Sequence, residues 1–175
     1  MGHARRRATL GARVALALGA LLVPAQAGPP PPDFTGELRP QLPISAWFDD
    51  NRQRGLLRVG NFTSPIYPAH AVALADLDHD GTREVLLGIW STEPRHREPE
   101  PHRTVWVLRW DDKHERLDEL WRGSALARPL VSFTVRNERL VATERAGRRC
   151  LRTTYDWTGF GFAAIRSRTI DCETP

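Results

Sequence analysis

Long apolar runs are scarce in this 175-residue chain. Beyond the N-terminus none approaches the roughly 20 residues a transmembrane helix needs. Helical periodicity is equally thin: only 112–121 would be called a helix on propensity, and its neighbours read as strands. There is no glycine-rich phosphate loop and no nucleophile elbow, and Ser124 and Ser132 stand in no triad context. No catalytic residue is assigned. Cysteine is limited to Cys150 and Cys172, neither with a second ligand at zinc-like spacing.

What is present begins at the N-terminus. Arg5, Arg6, Arg7 and Arg13 lead into the apolar run 14–23, followed by Pro24-Ala25-Gln26-Ala27. This reads as a signal peptide over 1–27 with small residues at the cleavage site, so an exported protein, periplasmic or secreted, is expected. The paired arginines are also compatible with twin-arginine export. The segment holds four arginines and no acid, so its loss leaves 21 basic against 21 acidic residues. Nucleic acid and anionic membranes thereby lose their simplest support as partners. In an exported chain, two cysteines lead to a disulfide between Cys150 and Cys172, stabilising by about 3 kcal/mol through the loop it closes.

After the signal, 28–43 is rich in proline and reads as an extended linker. Regular structure is expected from Ile44 to Ile170, with 171–175 as a tail. Short strands are expected at 56–59, 71–75, 84–90, 104–110, 116–122, 130–135, 139–144, 150–156 and 160–168. The chain also resembles itself at long range. Trp110-Asp111-Asp112 followed by 119–123 has counterparts in Trp47-Phe48-Asp49-Asp50 followed by 56–60, and in 155–159 followed by 160–162. Units of roughly 40 to 50 residues with four short strands each are the sign of propeller blades. Two full units, 70–123 and 129–169, are expected after an incomplete one at 44–62.

The chemistry concentrates between His70 and Trp90. Asp76, Asp78 and Asp80 alternate, Gly81 closes the turn, and Thr82 and Glu84 follow. Carboxylates so crowded repel one another unless a cation is shared, and calcium suits them because it accepts six to eight oxygen ligands in flexible geometry. Thr82 would offer its carbonyl and Glu84 its carboxylate, directly or through water. An EF-hand is excluded, because its twelfth position is Leu87 here and the flanks read as strands, so the loop should join a hairpin. The competing reading is an Asp-Gly turn with solvated acids.

Residues 73–88 resemble the FG-GAP or VCBS repeat of integrin alpha-chain propellers and many exported bacterial proteins, which place an Asp-x-Asp-x-Asp-Gly-x-x-Asp calcium loop between adjacent strands. Asp76, Asp78, Asp80 and Gly81 match that pattern, and Glu84 replaces its last aspartate. The close match covers about twenty residues. It implies an all-β, propeller-like fold with calcium as cofactor; the units counted above depart from a closed ring, only one of them keeps the acids, and they make an incomplete arc of about two and a half four-stranded antiparallel blades. So short an arc leaves strand edges and an apolar flank open, to be covered by a second copy, by the proline-rich segment or by a protein partner, with a glycan as a further ligand.

Other residues carry weaker signals. The insertion 94–102 holds His96, Glu98, Glu100 and His102 and reads as a solvated excursion rather than a second metal loop. His79 should point away from the ion. His70 reads as a strand histidine, with a general base as the lesser alternative. Trp106, Leu108 and Trp110 should share one strand face, opposite Val105, Val107 and Arg109. Six tryptophans read as packing between blades rather than as a glycan platform. Asn61-Phe62-Thr63 fits the glycosylation pattern and reads as incidental. Three functions follow in order: an exported calcium-stabilised binding or scaffold protein, a metal-assisted hydrolase or lyase on a polysaccharide or phosphoester, and a structural domain with a vestigial ion site.

Overall fold

Short β-rich segments divided by Gly, Asn and Asp turns cannot bury themselves as isolated hairpins; they must layer. The computed structural model describes residues 30–51, 53–92, 102–123 and 126–172. All but Pro30 of these lie in one compact unit, Pro31–Pro175. The signal-peptide reading and all of the 94–102 insertion except His102 fall outside the described residues.

The described chain is all-β. Its strands are β1 (Phe34–Arg39), β2 (Leu42–Asp49), β3 (Arg54–Val59), β4 (Phe62–Thr63), β5 (Ala69–Ala75), β6 (Glu84–Ser91), β7 (His102–Asp111), β8 (Arg116–Trp121), β9 (Leu130–Arg136), β10 (Arg139–Ala146), β11 (Arg149–Trp157) and β12 (Phe162–Ile170). They form three four-stranded antiparallel sheets, each with its strands in chain order, and no sheet closes on itself. The helical alternative over 112–121 is replaced by β8.

The linker reading is corrected. β1 and the start of β2 occupy most of 34–43, which makes the first unit a complete sheet rather than a fragment. Phe34, Gly36 and Leu38 alternate inward, and Leu38 is fully buried. The prolines are accommodated locally. Pro40 lies in the β1–β2 turn beside Gln41, whose φ is 66°. Pro43 lies next to a register shift between Glu37 and Arg39, where a strand tolerates a missing donor.

The three sheets stack, and the second lies between the other two. Val85, Leu87, Ile89 and Leu108 pack with Ile44, Ala46, Leu57 and Val59 of the first sheet. Leu86, Val105 and Val107 pack with Leu140, Ala142 and Tyr155 of the third. β6 is therefore buried from Glu84 through Ile89, which explains why its sequence is an unbroken apolar run instead of an alternation. Gly88 marks the tightest approach in that strand. A Cβ there would come within 2.8 Å of both His70 and Phe133, ring atoms from two different sheets.

Strand alternation in β7 places Trp106, Leu108 and Trp110 toward the first sheet and Val105 and Val107 toward the third, as the sequence implies. Trp121, Trp157 and Phe162 pack edge to face, with centroids 5.1 to 6.4 Å apart. Cys150, buried at the start of β11, is bonded to Cys172 just beyond β12. The last strand is thus tied to its neighbour at the end distant from the Trp157 turn.

The exposed apolar flank expected of an open arc is absent from the third sheet. Its outward face carries Ser132, Thr134, Thr143, Thr154 and several arginines, which keeps it wet without a further layer.

Candidate metal centre

The β5–β6 connection is a hairpin closed by the pair Ala75 and Glu84. Its eight intervening residues reverse the chain through two left-handed positions, His79 at φ 61° and Gly81 at φ 88°. No atom lies within 4 Å of where a Gly81 side chain would begin, so backbone conformation and not space calls for glycine. The backbone N–H of Gly81 donates to Asp76 Oδ2 at 3.1 Å, and that of Thr82 donates to Asp80 Oδ1 at 2.7 Å. These short-range bonds fold the acids inward around the turn.

Asp76, Asp78 and Glu84 each bring a carboxylate oxygen into one cluster, all within 4.8 Å of one another. Asp80, in contrast, uses an oxygen to brace the loop backbone at Thr82. Glu84 is fully buried. Its Oε2 accepts the Leu77 N–H at 2.9 Å, and its Oε1 accepts from Arg109 Nε at 3.0 Å. Burial raises the Glu84 carboxyl above the usual carboxylate range, and the bonds from Leu77 and Arg109 only partly oppose it. Asp76 Oδ1 is buried and has no hydrogen-bond partner.

Two residues that the sequence did not single out complete the site. Arg109, from β7, pairs through its guanidinium with both Asp78 and Glu84. Burial alone would lower its basicity, but the two carboxylates outweigh that and raise it. An arginine on the strand face that otherwise carries Val105 and Val107 was the available signal, since such a charge needs a partner. Glu138, in the β9–β10 turn, accepts the Asp76 N–H at 2.6 Å. No sequence spacing links it to the loop; only stacking of the third sheet on the second does. From the other side, the Arg83 N–H donates to the Leu38 carbonyl at 2.7 Å, so both neighbouring sheets hold the loop.

The donor set fits a hard divalent cation. Three formal negative charges converge, one oxygen is orphaned, and Arg109 supplies a single positive charge against them.

His70 is elsewhere. It lies near the start of β5 and the acids follow the end of that strand, roughly 20 Å away at strand rise. Its ring lies tilted against Trp90 with centroids 5.4 Å apart, and burial, with help from nearby Arg103, lowers its pKa to about 4. A base so placed does not serve the acidic cluster.

The fold and site together describe a three-layer, all-β protein with an acidic hairpin loop. Comparison with protein-family models, curated proteins and solved structures found no match for the chain.

Proposed function

We propose that the chain is an exported, non-enzymatic scaffold or binding protein of the FG-GAP or VCBS kind, a propeller-like arc whose β5–β6 loop is stabilised by calcium. The observation that carries this reading is the convergence of Asp76, Asp78 and Glu84, together with the buried Asp76 Oδ1 that has no hydrogen-bond partner. Asp76, Asp78 and Glu84 would hold the ion, with Asp80 and Thr82 shaping the loop. Bound calcium would supply the two positive charges that Arg109 leaves wanting. The arc is supported by the run of first strands, since β5 touches both β1 and β9. Loops and the open edge at β12, where Ile165 is half exposed, would meet a second copy, a protein partner or a glycan.

Folding linkage is the mechanism. An ion bound only by the native state adds about 2.7 kcal/mol at a hundredfold excess over its dissociation constant. Scanning calorimetry of the chain lacking residues 1–27 should show a higher melting temperature in calcium than in chelator, and Asp76→Asn should remove the difference. A melting temperature indifferent to calcium would favour the second reading, a structural domain with a vestigial site. Arg109 is the observation behind that alternative, because it already neutralises part of the cluster.

A further inference from the structure

The even balance of charge after residue 27 conceals a segregated one. Between residues 128 and 172 nine arginines stand against four carboxylates. Three of those carboxylates are engaged: Glu138 by the Asp76 N–H, Glu144 by Tyr155 and the Arg128 N–H, and Asp156 by Arg139. The arginines collect on the outward face of the third sheet, where Arg136, Arg139, Arg152, Arg166 and Arg168 line a shallow depression of about 230 Å³. Strand register sets two like-charged pairs directly opposite each other, Arg136 with Arg139 and Arg152 with Arg168. Such pairs are destabilising, and only Arg139 among the five has a carboxylate partner among the described residues. The fold tolerates this repulsion where a neutral side chain would have served.

We propose that this face binds an anionic polysaccharide, its sulfate or carboxylate groups bridging the paired guanidiniums. Guanidinium forks suit such oxyanions bidentately. Ser132, Thr134, Thr143 and Thr154 share the face and offer hydroxyls to a polyhydroxylated chain. No aromatic ring lies among the residues lining the depression, which removes the stacking platform a single-stranded nucleic acid would use. Val141 is the one apolar side chain there, so the face has no wedge for a bilayer. The inference shares the export reading of the proposed function and is independent of calcium.

The test is titration of the chain lacking residues 1–27 with dextran sulfate, with uncharged dextran as control, over a range of salt and with chelator present. Binding to dextran sulfate alone is expected. The combined variant Arg152→Gln, Arg166→Gln, Arg168→Gln should weaken it roughly tenfold or more and flatten its salt dependence, since fewer counterions are released. Arg54→Gln with Arg58→Gln, on the first sheet, should leave it unchanged. The triple variant should melt no lower than the parent, since repulsion is relieved; a lower melting temperature would show the guanidiniums to be packing for the fold and would overturn the proposal. Should the triple variant not fold, Arg166→Glu on the exposed edge strand gives the same comparison. Absence of binding, equal loss in the Arg54 and Arg58 variant, tighter binding to duplex DNA or to phosphatidylglycerol vesicles, or binding abolished by chelator would each sink it. A calcium-insensitive melting temperature with intact dextran sulfate binding would refute the metal reading alone.

Discussion

Arg109 occupies the place where two functions of one charge meet. It neutralises Asp78 and buried Glu84, so removing it strands a carboxylate away from water. Arg109→Met in chelator should destabilise the fold by roughly 3 kcal/mol, measured by urea unfolding. Added calcium should restore much of that loss, because an ion can replace the missing cation; no rescue would argue that the cluster is not a cation site. His70 gives a prediction of the opposite kind, in pH. The native state keeps it neutral down to about pH 4, whereas an unfolded histidine takes a proton near 6.5. The unfolded chain thus binds more protons between those values, and stability should fall as pH falls from 6.5 toward 4. Partial exposure of the ring limits the effect to roughly 1–2 kcal/mol. Glu84, whose carboxyl is raised by burial, acts in the reverse sense, so His70→Gln is the necessary comparison. If the variant and parent keep identical pH profiles over this window, the assignment to His70 is wrong.

Among the elements, legibility followed exposure. Strands with one wet face, β9 above all, announced themselves by alternation, and β6 did so by its unbroken apolar run, bounded by turn residues. β1 was obscured because four prolines at 29–32 precede, and Pro40 and Pro43 follow, a short segment whose only strong apolar side chains are Phe34 and Leu38. Proline composition outweighed a three-residue alternation there. The acidic residues of the loop were legible from spacing alone, but Glu138 was not, because it reaches Asp76 only across a sheet interface. Which acids converge was also hidden: Asp76, Asp78 and Glu84 cluster, whereas Asp80 braces the backbone at Thr82, and spacing alone does not separate them. At the C-terminal end, β12 is exposed along most of its length and is tied to Cys150 through Cys172. The substitution Cys172→Ser, with Cys150→Ser to avoid a free thiol, should cost about 3 kcal/mol. Amide hydrogen exchange should then rise first in β12, while unchanged exchange there would mean the strand is held by its ladder alone.

For the whole molecule, the decisive fact is that the middle sheet has no wet face. Its two sides supply both hydrophobic clusters, so neither outer layer can leave without baring apolar area. Heat unfolding of residues 28–175 should therefore be a single transition, with equal calorimetric and van't Hoff enthalpies. Two resolved transitions would show that the layers melt separately. The same arrangement explains why the first unit needed all four strands: a fragment beginning at Ile44 would lack Leu38 and leave the Arg83 N–H without its acceptor.

Chain order gives this layering a consequence for biogenesis. The central layer is made second, and its far side stays bare until β9 to β12 have emerged and docked. During that interval the nascent polypeptide presents Leu86, Val105 and Val107 to whatever is nearby. A premature stop just before β9 would make that transient state permanent, yielding an adhesive product rather than a smaller working one.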